Sequence, residues 1–242
     1  KGIKYPDTFD EMVKAAEALT DPKEGVYGFT ARGLKNANVP VWSSFLLGYG
    51  GNFLDAKGNL LTASPESIEA AKLYQRLLTK SAPPGSAGFN WYECQAAFLQ
   101  GKVAMWLDGI GFAPPLEDPA KSRIVGKVGY GLMPKGPKTR ASAVFGDGMG
   151  IPAASKNQGP AYLYCQWAIS KLMGGRLVQT GGGVPFRYSI LNDPEVKKGI
   201  KMPPAWIEAV TESAKVSRLG LPVVVPVTEY RDIVGIALTN TL

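Results

Sequence analysis

Apolar residues recur along this chain with two periods, near 3.6 and near 2, and the alternation of the two predicts an α/β protein. Phe9, Met12, Val13 and Ala16 fall on one helical face, opened by Thr8 as cap with Glu11 three residues on. Ser64 and Pro65 start a second helix, whose buried stripe is Ala70, Leu73, Tyr74 and Leu77. Asn90 caps a third, with Glu93 following and Cys94, Ala97 and Phe98 inward. Gly101 stops it. A further helix starts near Ser155 or Pro160, and its inner face is expected to be Ala161, Tyr164, Cys165, Ala168 and Leu172. Helical patterns also cover 204–215 and the chain from Thr228, through Tyr230, Ile233, Val234 and Ala237.

Between the helices, 26–31, 103–107, 127–133 and 143–151 read as strands, the last interrupted by glycines. Residues 40–47 and 221–227 read as extended, and 48–52 and 55–59 as turns. Asp118-Pro119 begins a short helical turn. Lys1 stands just before a helix cap, and the pattern from Thr228 reaches Leu242 without a glycine or proline stop. A fragment of a longer protein is therefore expected.

Charge and composition exclude several classes. The chain has 242 residues and a net charge of +7, from 27 basic and 20 acidic side chains. The basic residues are scattered, with Lys197-Lys198 among the densest groupings, and no nucleic-acid-binding signature appears, so no nucleic-acid partner is expected. No apolar run approaches the roughly 20 residues of a membrane-spanning helix. Histidine is absent, which removes the commonest general base and metal ligand. Two cysteines, Cys94 and Cys165, are too few for a cysteine-bound zinc site; each falls on an apolar helix face, and whether they are bridged stays open. No metal and no cofactor are expected.

Four clusters carry possible chemistry. Asp108-Gly109-Ile110-Gly111-Phe112 follows a buried strand, the place where α/β sheets bind ligands. There a carboxylate can accept hydrogen bonds from sugar hydroxyls and Phe112 can stack on a sugar face, or the segment is only a turn with a capping aspartate. Asp147 lies between glycines in an apolar strand and needs a partner, either a ligand hydroxyl or an arginine. Gly181 to Arg187 (GGGVPFR) lacks the GK[ST] of a phosphate loop, and reads as a flexible crossover whose Arg187 offers a fork of donors. Residues 228–232 (TEYRD) read as a capped first turn. Trp42, at the edge of an apolar run, is either core or an aromatic platform.

The order PDTFDEM, YGGNFLDAKG, AFLQGKVAMWLDG, GYGLMPKGP, IPAASKN and GGGVPFR resembles the family-1 extracellular solute-binding proteins of bacterial ABC transporters, and the likeness runs over essentially the whole chain. Its strongest motif is F-x-x-G-x-x-A-M, here Phe98, Gly101, Ala104 and Met105. The resemblance implies a periplasmic-binding-protein-like fold of two α/β lobes. Residues 1–142 would be the first part of the C-terminal lobe, 143–187 a returning N-terminal-lobe segment with the hinge crossing, and 188–242 the rest of the C-terminal lobe. Most of the N-terminal lobe, any signal peptide and the extreme C-terminus would lie outside the chain.

The same resemblance implies a non-catalytic component that captures a sugar or polyol between its lobes and delivers it to a membrane permease by hinge closure. It implies a periplasmic or other extracytoplasmic, monomeric protein that is not inserted in the membrane. Ligand contacts would come from Trp42, Asp108, Gly109, Phe112, Asp147 and Arg187. Where the family holds a stacking tryptophan, Gly111 or Phe112 stands here, and where the returning strand often reads G-G-W, this chain has Phe145-Gly146-Asp147. Aspartate in place of that aromatic would favour hydrogen bonding over stacking, and with it a small hydroxyl-rich ligand such as a monosaccharide or polyol. The alternative is a carbohydrate-active hydrolase using Asp108 and Asp147 as its carboxylate pair.

Overall fold

A computed structural model describes residues 2–146 and 148–242. Ten helices are ordered along the described chain: α1 (Phe9–Leu19), α2 (Val39–Gly48), α3 (Pro65–Lys80), α4 (Trp91–Leu99), α5 (Gln158–Ala168), α6 (Lys171–Gln179), α7 (Tyr188–Leu191), α8 (Pro194–Gly199), α9 (Pro204–Lys215) and α10 (Val227–Thr239). Two short strands, β1 (Ser142–Val144) and β2 (Ser217–Leu219), pair in parallel with Ala143 opposite Arg218. This is the α/β class that the two periods predict.

The helix caps form as expected. The Thr8 side chain accepts the Glu11 amide, and Glu11 reaches back to the amide of Asp7. Ser64 caps α3 with Pro65 in its first turn. Asn90 and Glu93 close a capping box on α4, and Gly101, at φ +71°, takes the left-handed position that ends it.

Other elements depart from expectation. Residues 40–47 are helical, forming most of α2, not extended. Every residue of α2 is buried, Ser43 and Ser44 included, so no polar face reveals its period, and a short mostly apolar run reads the same as a buried strand. Among the described residues of the strand expected at 143–151, only 143–144 are in a strand, β1, and 127–133 forms no strand; the pairing near it is a single bridge between Thr8 and Lys135. The pattern from Thr228 closes at Thr239 with Asn240 as its C-cap. Of the face expected to turn inward on α5, Ala161, Cys165 and Ala168 are half-buried, whereas Tyr164 and, in α6, Leu172 are exposed. Cys94 is buried, Cys165 is half-buried, and both are free thiols.

Two apolar cores result. The first packs α1, α2, α3 and α10 around Phe29, Phe45, Tyr74 and Leu77. The second gathers Leu116, Val178, Leu191, Ile200, Trp206 and Val210. The extended segments at 27–30 and 103–107 run side by side between them, bridged in parallel at Tyr27–Val103 and Thr30–Trp106. Gly28 lets the first of these lie on α1, since a Cβ there would sit 1.8 Å from the Ala16 carbonyl oxygen.

Candidate functional site

The second extended segment serves both cores by its alternation. Met105 and Leu107 pack on the first core and Trp106 on the second. The chain then leaves the sheet-like pair at Asp108 and makes a short 3-10 turn, Ile110–Phe112. That turn is fixed from three directions. Gln95 of α4 donates from Nε2 to the Phe112 carbonyl at 2.8 Å, and Trp206 of α9 donates from Nε1 to the Ile110 carbonyl at 3.1 Å. The Phe112 amide closes the turn on the Gly109 carbonyl at 3.0 Å. On its far side lies the glycine-rich crossover, with Val184 and Gly183 next to Gly111.

Register explains the charge chemistry. Because Thr30 stands beside Trp106 in a parallel pair, the residues two positions on, Arg32 and Asp108, emerge together at the same end. Arg32 donates from Nε to Asp108 Oδ2 at 2.8 Å and from Nη2 to Oδ1 at 2.6 Å. Asp108 Oδ1 also accepts the Gly109 amide at 2.7 Å. The two side chains are 8% and 2% exposed. A buried bidentate pair of this kind repays its desolvation only because its geometry is good and its acceptors are filled. Tyr74 fixes the backbone behind it, donating its hydroxyl to the Arg32 carbonyl at 2.7 Å.

Aromatic rings surround the pair. Phe112 stacks on Trp91 with centroids 4.9 Å apart and planes 5° from parallel. Arg32 Cζ lies 5.5 Å from the centroid of Phe112 and 5.7 Å from that of Phe145, the residue after β1. Phe145 itself is 39% exposed. Cys94 sits beneath the group; burial pushes its thiol up to about 12, against the smaller lowering effect of Thr30.

The residues expected to bind ligand are thus only partly assembled. Asp108, Gly109 and Phe112 form one wall. Trp42 lies in the first core at 2% exposure, its indole Nε1 without a hydrogen-bond partner among the described residues. Arg187 caps the start of α7, donates from Nε to the Ile169 carbonyl at 3.3 Å, and lines a separate shallow depression of about 320 Å³ with Ser170, Lys171 and Ser189. Asp147 lies outside the described residues. Sequence reasoning passed over Arg32, Trp91, Gln95 and Trp206. Arg32 carried a signal, a charged residue at the end of an apolar strand; the other three carried none separable from core packing.

Among the described residues no group of three His, Cys, Asp or Glu side chains could hold a metal ion, and no helix is long and apolar enough to cross a membrane.

The model of one family, the bacterial extracellular solute-binding protein, matches residues 1–171. A probable amino-acid ABC transporter periplasmic-binding protein of Sinorhizobium fredii is 29% identical over 204 residues, 83% of this chain and 45% of that protein. A mannitol-binding protein of Pseudomonas aeruginosa is 26% identical over 188 residues, 76% of this chain and 43% of its own. The solved structure of an ABC transporter solute-binding protein from Agrobacterium radiobacter in complex with ribitol superposes with a TM-score of 0.87 at 30% identity, covering 99% of this chain and 60% of that one. The chain spans less than half the length of these two curated relatives and about three-fifths of the solved one.

Proposed function

The chain belongs to the bacterial extracellular solute-binding protein family, and we propose that, within a two-lobe protein, it forms one wall of a cleft that captures a sugar or polyol for an ABC importer. The observation that carries this reading is the Phe112 ring, stacked on Trp91 and pinned through its own carbonyl by Gln95, beyond the end of an extended segment. A rigid aromatic face on a loop held by regular elements suits the C–H face of a hydroxyl-rich ligand. The mannitol-binding relative and the ribitol complex favour the same ligand class.

The lobe division follows as part of the proposal, with 1–142 and 188–242 in the C-terminal lobe and 143–187 returning from the N-terminal one. Its support is α5. Tyr162, Leu163, Tyr164 and Trp167 are all exposed, on a helix that packs in the chain mainly against α6. So many large apolar side chains on one surface helix mark a contact face, and the rest of the N-terminal lobe is the partner proposed for it. α6 leads back, sending Val178 into the second core. Hinge closure over the ligand then presents the closed form to a membrane permease, in an extracytoplasmic compartment, with the protein acting as a monomer.

Two other readings are less well supported. A hydrolase needs Asp108 as acid or nucleophile, but its oxygens are engaged by Arg32 and the Gly109 amide. An amino-acid binder needs an unpaired cation for the ligand carboxylate and an unpaired anion for its ammonium; Arg32 and Asp108 satisfy each other instead.

Calorimetry of the two-lobe protein against sugars, polyols and amino acids, with product analysis, tests the reading. One-site binding of an unmodified sugar or polyol is expected. Turnover of a glycoside, or binding of amino acids alone, would sink it.

A further inference from the structure

Asp108 stands in the proposed cleft wall, yet its carboxylate is turned to Arg32 and buried away from a ligand. Oδ1 holds Arg32 Nη2 and the Gly109 amide, Oδ2 holds Arg32 Nε, and the side chain is 2% exposed. A carboxylate so placed acts on a ligand through its charge and not by contact. The charge it acts on is close to the surface, because the guanidinium lies against the rings of Phe112 and Phe145, and Phe145 is open to solvent. A unit charge a few ångströms beneath an apolar wall is poorly screened. Asp108 and Arg32 therefore decide together whether the wall looks cationic or neutral from the cleft.

We propose that Asp108 is a specificity-determining residue of this cleft. By cancelling the Arg32 charge behind the Phe112 and Phe145 rings, it keeps the site suited to uncharged polyols and sugars and closed to the corresponding sugar acids. The inference rests on the sugar or polyol reading given above. A polyol and the aldonate of the same carbon skeleton share almost all their hydroxyls and differ at one terminal carboxylate, so the ratio of their affinities isolates the charge. A role for Asp108 in folding alone leaves that ratio where it is.

The test is calorimetry of the two-lobe protein with mannitol, ribitol, mannonate and ribonate. The native protein is expected to prefer polyol over matching aldonate by at least tenfold. Asp108→Asn preserves shape and one acceptor for Arg32, and is expected to move the ratio at least tenfold toward the aldonate, an effect that shrinks as salt rises. Phe145→Lys places an uncancelled cation beside the Arg32 guanidinium at an exposed position, and is expected to move the ratio the same way; it carries the test if Asp108→Asn does not fold. A folded Asp108→Asn with the native ratio overturns the proposal, as does Phe145→Lys with the native ratio. A native protein that binds polyol and aldonate equally also overturns it, while leaving the cleft a sugar or polyol site. A native protein that binds no sugar or polyol removes both this proposal and the function it rests on.

Discussion

The indole of Trp91 and the ring of Phe112 lie 4.9 Å apart and within 5° of parallel, one at the first turn of a capped helix and the other in a turn beyond the next extended segment. The stack ties the position of the Ile110–Phe112 turn to the capping box of α4. With Arg32 Cζ 5.5 Å from the same ring centroid, Phe112 is held by both an indole and a guanidinium.

Truncating either ring should therefore be felt by the other. In a double-mutant cycle on Trp91→Leu and Phe112→Leu, the coupling energy from urea unfolding is expected to be about 0.5–1.5 kcal/mol, the usual worth of an aromatic pair beyond its buried area. Strictly additive losses would show that the stack contributes nothing.

The buried ion pair makes a sharper forecast. Arg32→Ala leaves the Asp108 carboxylate buried at 2% exposure with only the Gly109 amide, and should cost about 3–5 kcal/mol. Arg32→Met combined with Asp108→Leu removes both charges and should cost far less than the single change. Equilibrium denaturation of the two variants decides the order.

Gly28 and Gly58 separate crowding from backbone strain. A Cβ at Gly28 would lie 1.8 Å from the Ala16 carbonyl oxygen, against backbone that cannot yield without moving α1. Gly58 has open space around it but a φ of +85°. Gly28→Ala is expected to lose about 2 kcal/mol or more, and Gly58→Ala about 1 kcal/mol. Thermal melts of the two alanine variants should rank them in that order.

Alkaline pH should loosen the first core. Burial raises the Cys94 thiol from its ordinary 9 to about 12 and the Tyr230 phenol from 10 to about 12, and it raises Tyr74 as well. Each group stays neutral in the folded chain while the unfolded chain already ionises. Their stabilising contribution is complete below pH 9 and is lost as pH climbs from 9 through 12. Denaturation midpoints should fall across that window. A thiol reagent at pH 8 should label half-buried Cys165 well before Cys94, which becomes reactive on unfolding.

Much of this was already legible in local sequence. Thr8, Ser64 and Asn90 specify helix starts because capping is a contact between residues two or three apart, and Gly101 ends α4 because the left-handed conformation disfavours other residues. The apolar run at 103–107 placed Asp108 and Phe112 just beyond an extended segment, and the order of motifs along the chain pointed to the family that matches residues 1–171.

The rest depended on long-range packing. The apolar run at 40–47 became a helix because burial on all sides erases the polar face that would show its period. Trp42 went to the core, and α5 kept its aromatic face outward, because which face is covered depends on neighbours distant in sequence. Arg32 and Asp108 stand 76 positions apart, and the parallel register of Thr30 beside Trp106 brings their side chains together. The sequence by itself determined the turns, the caps and the residue types of the 108–112 segment. Only the tertiary structure decided that Asp108 faces an arginine, because that pairing comes from the register of two extended segments, a relation that neither encodes alone.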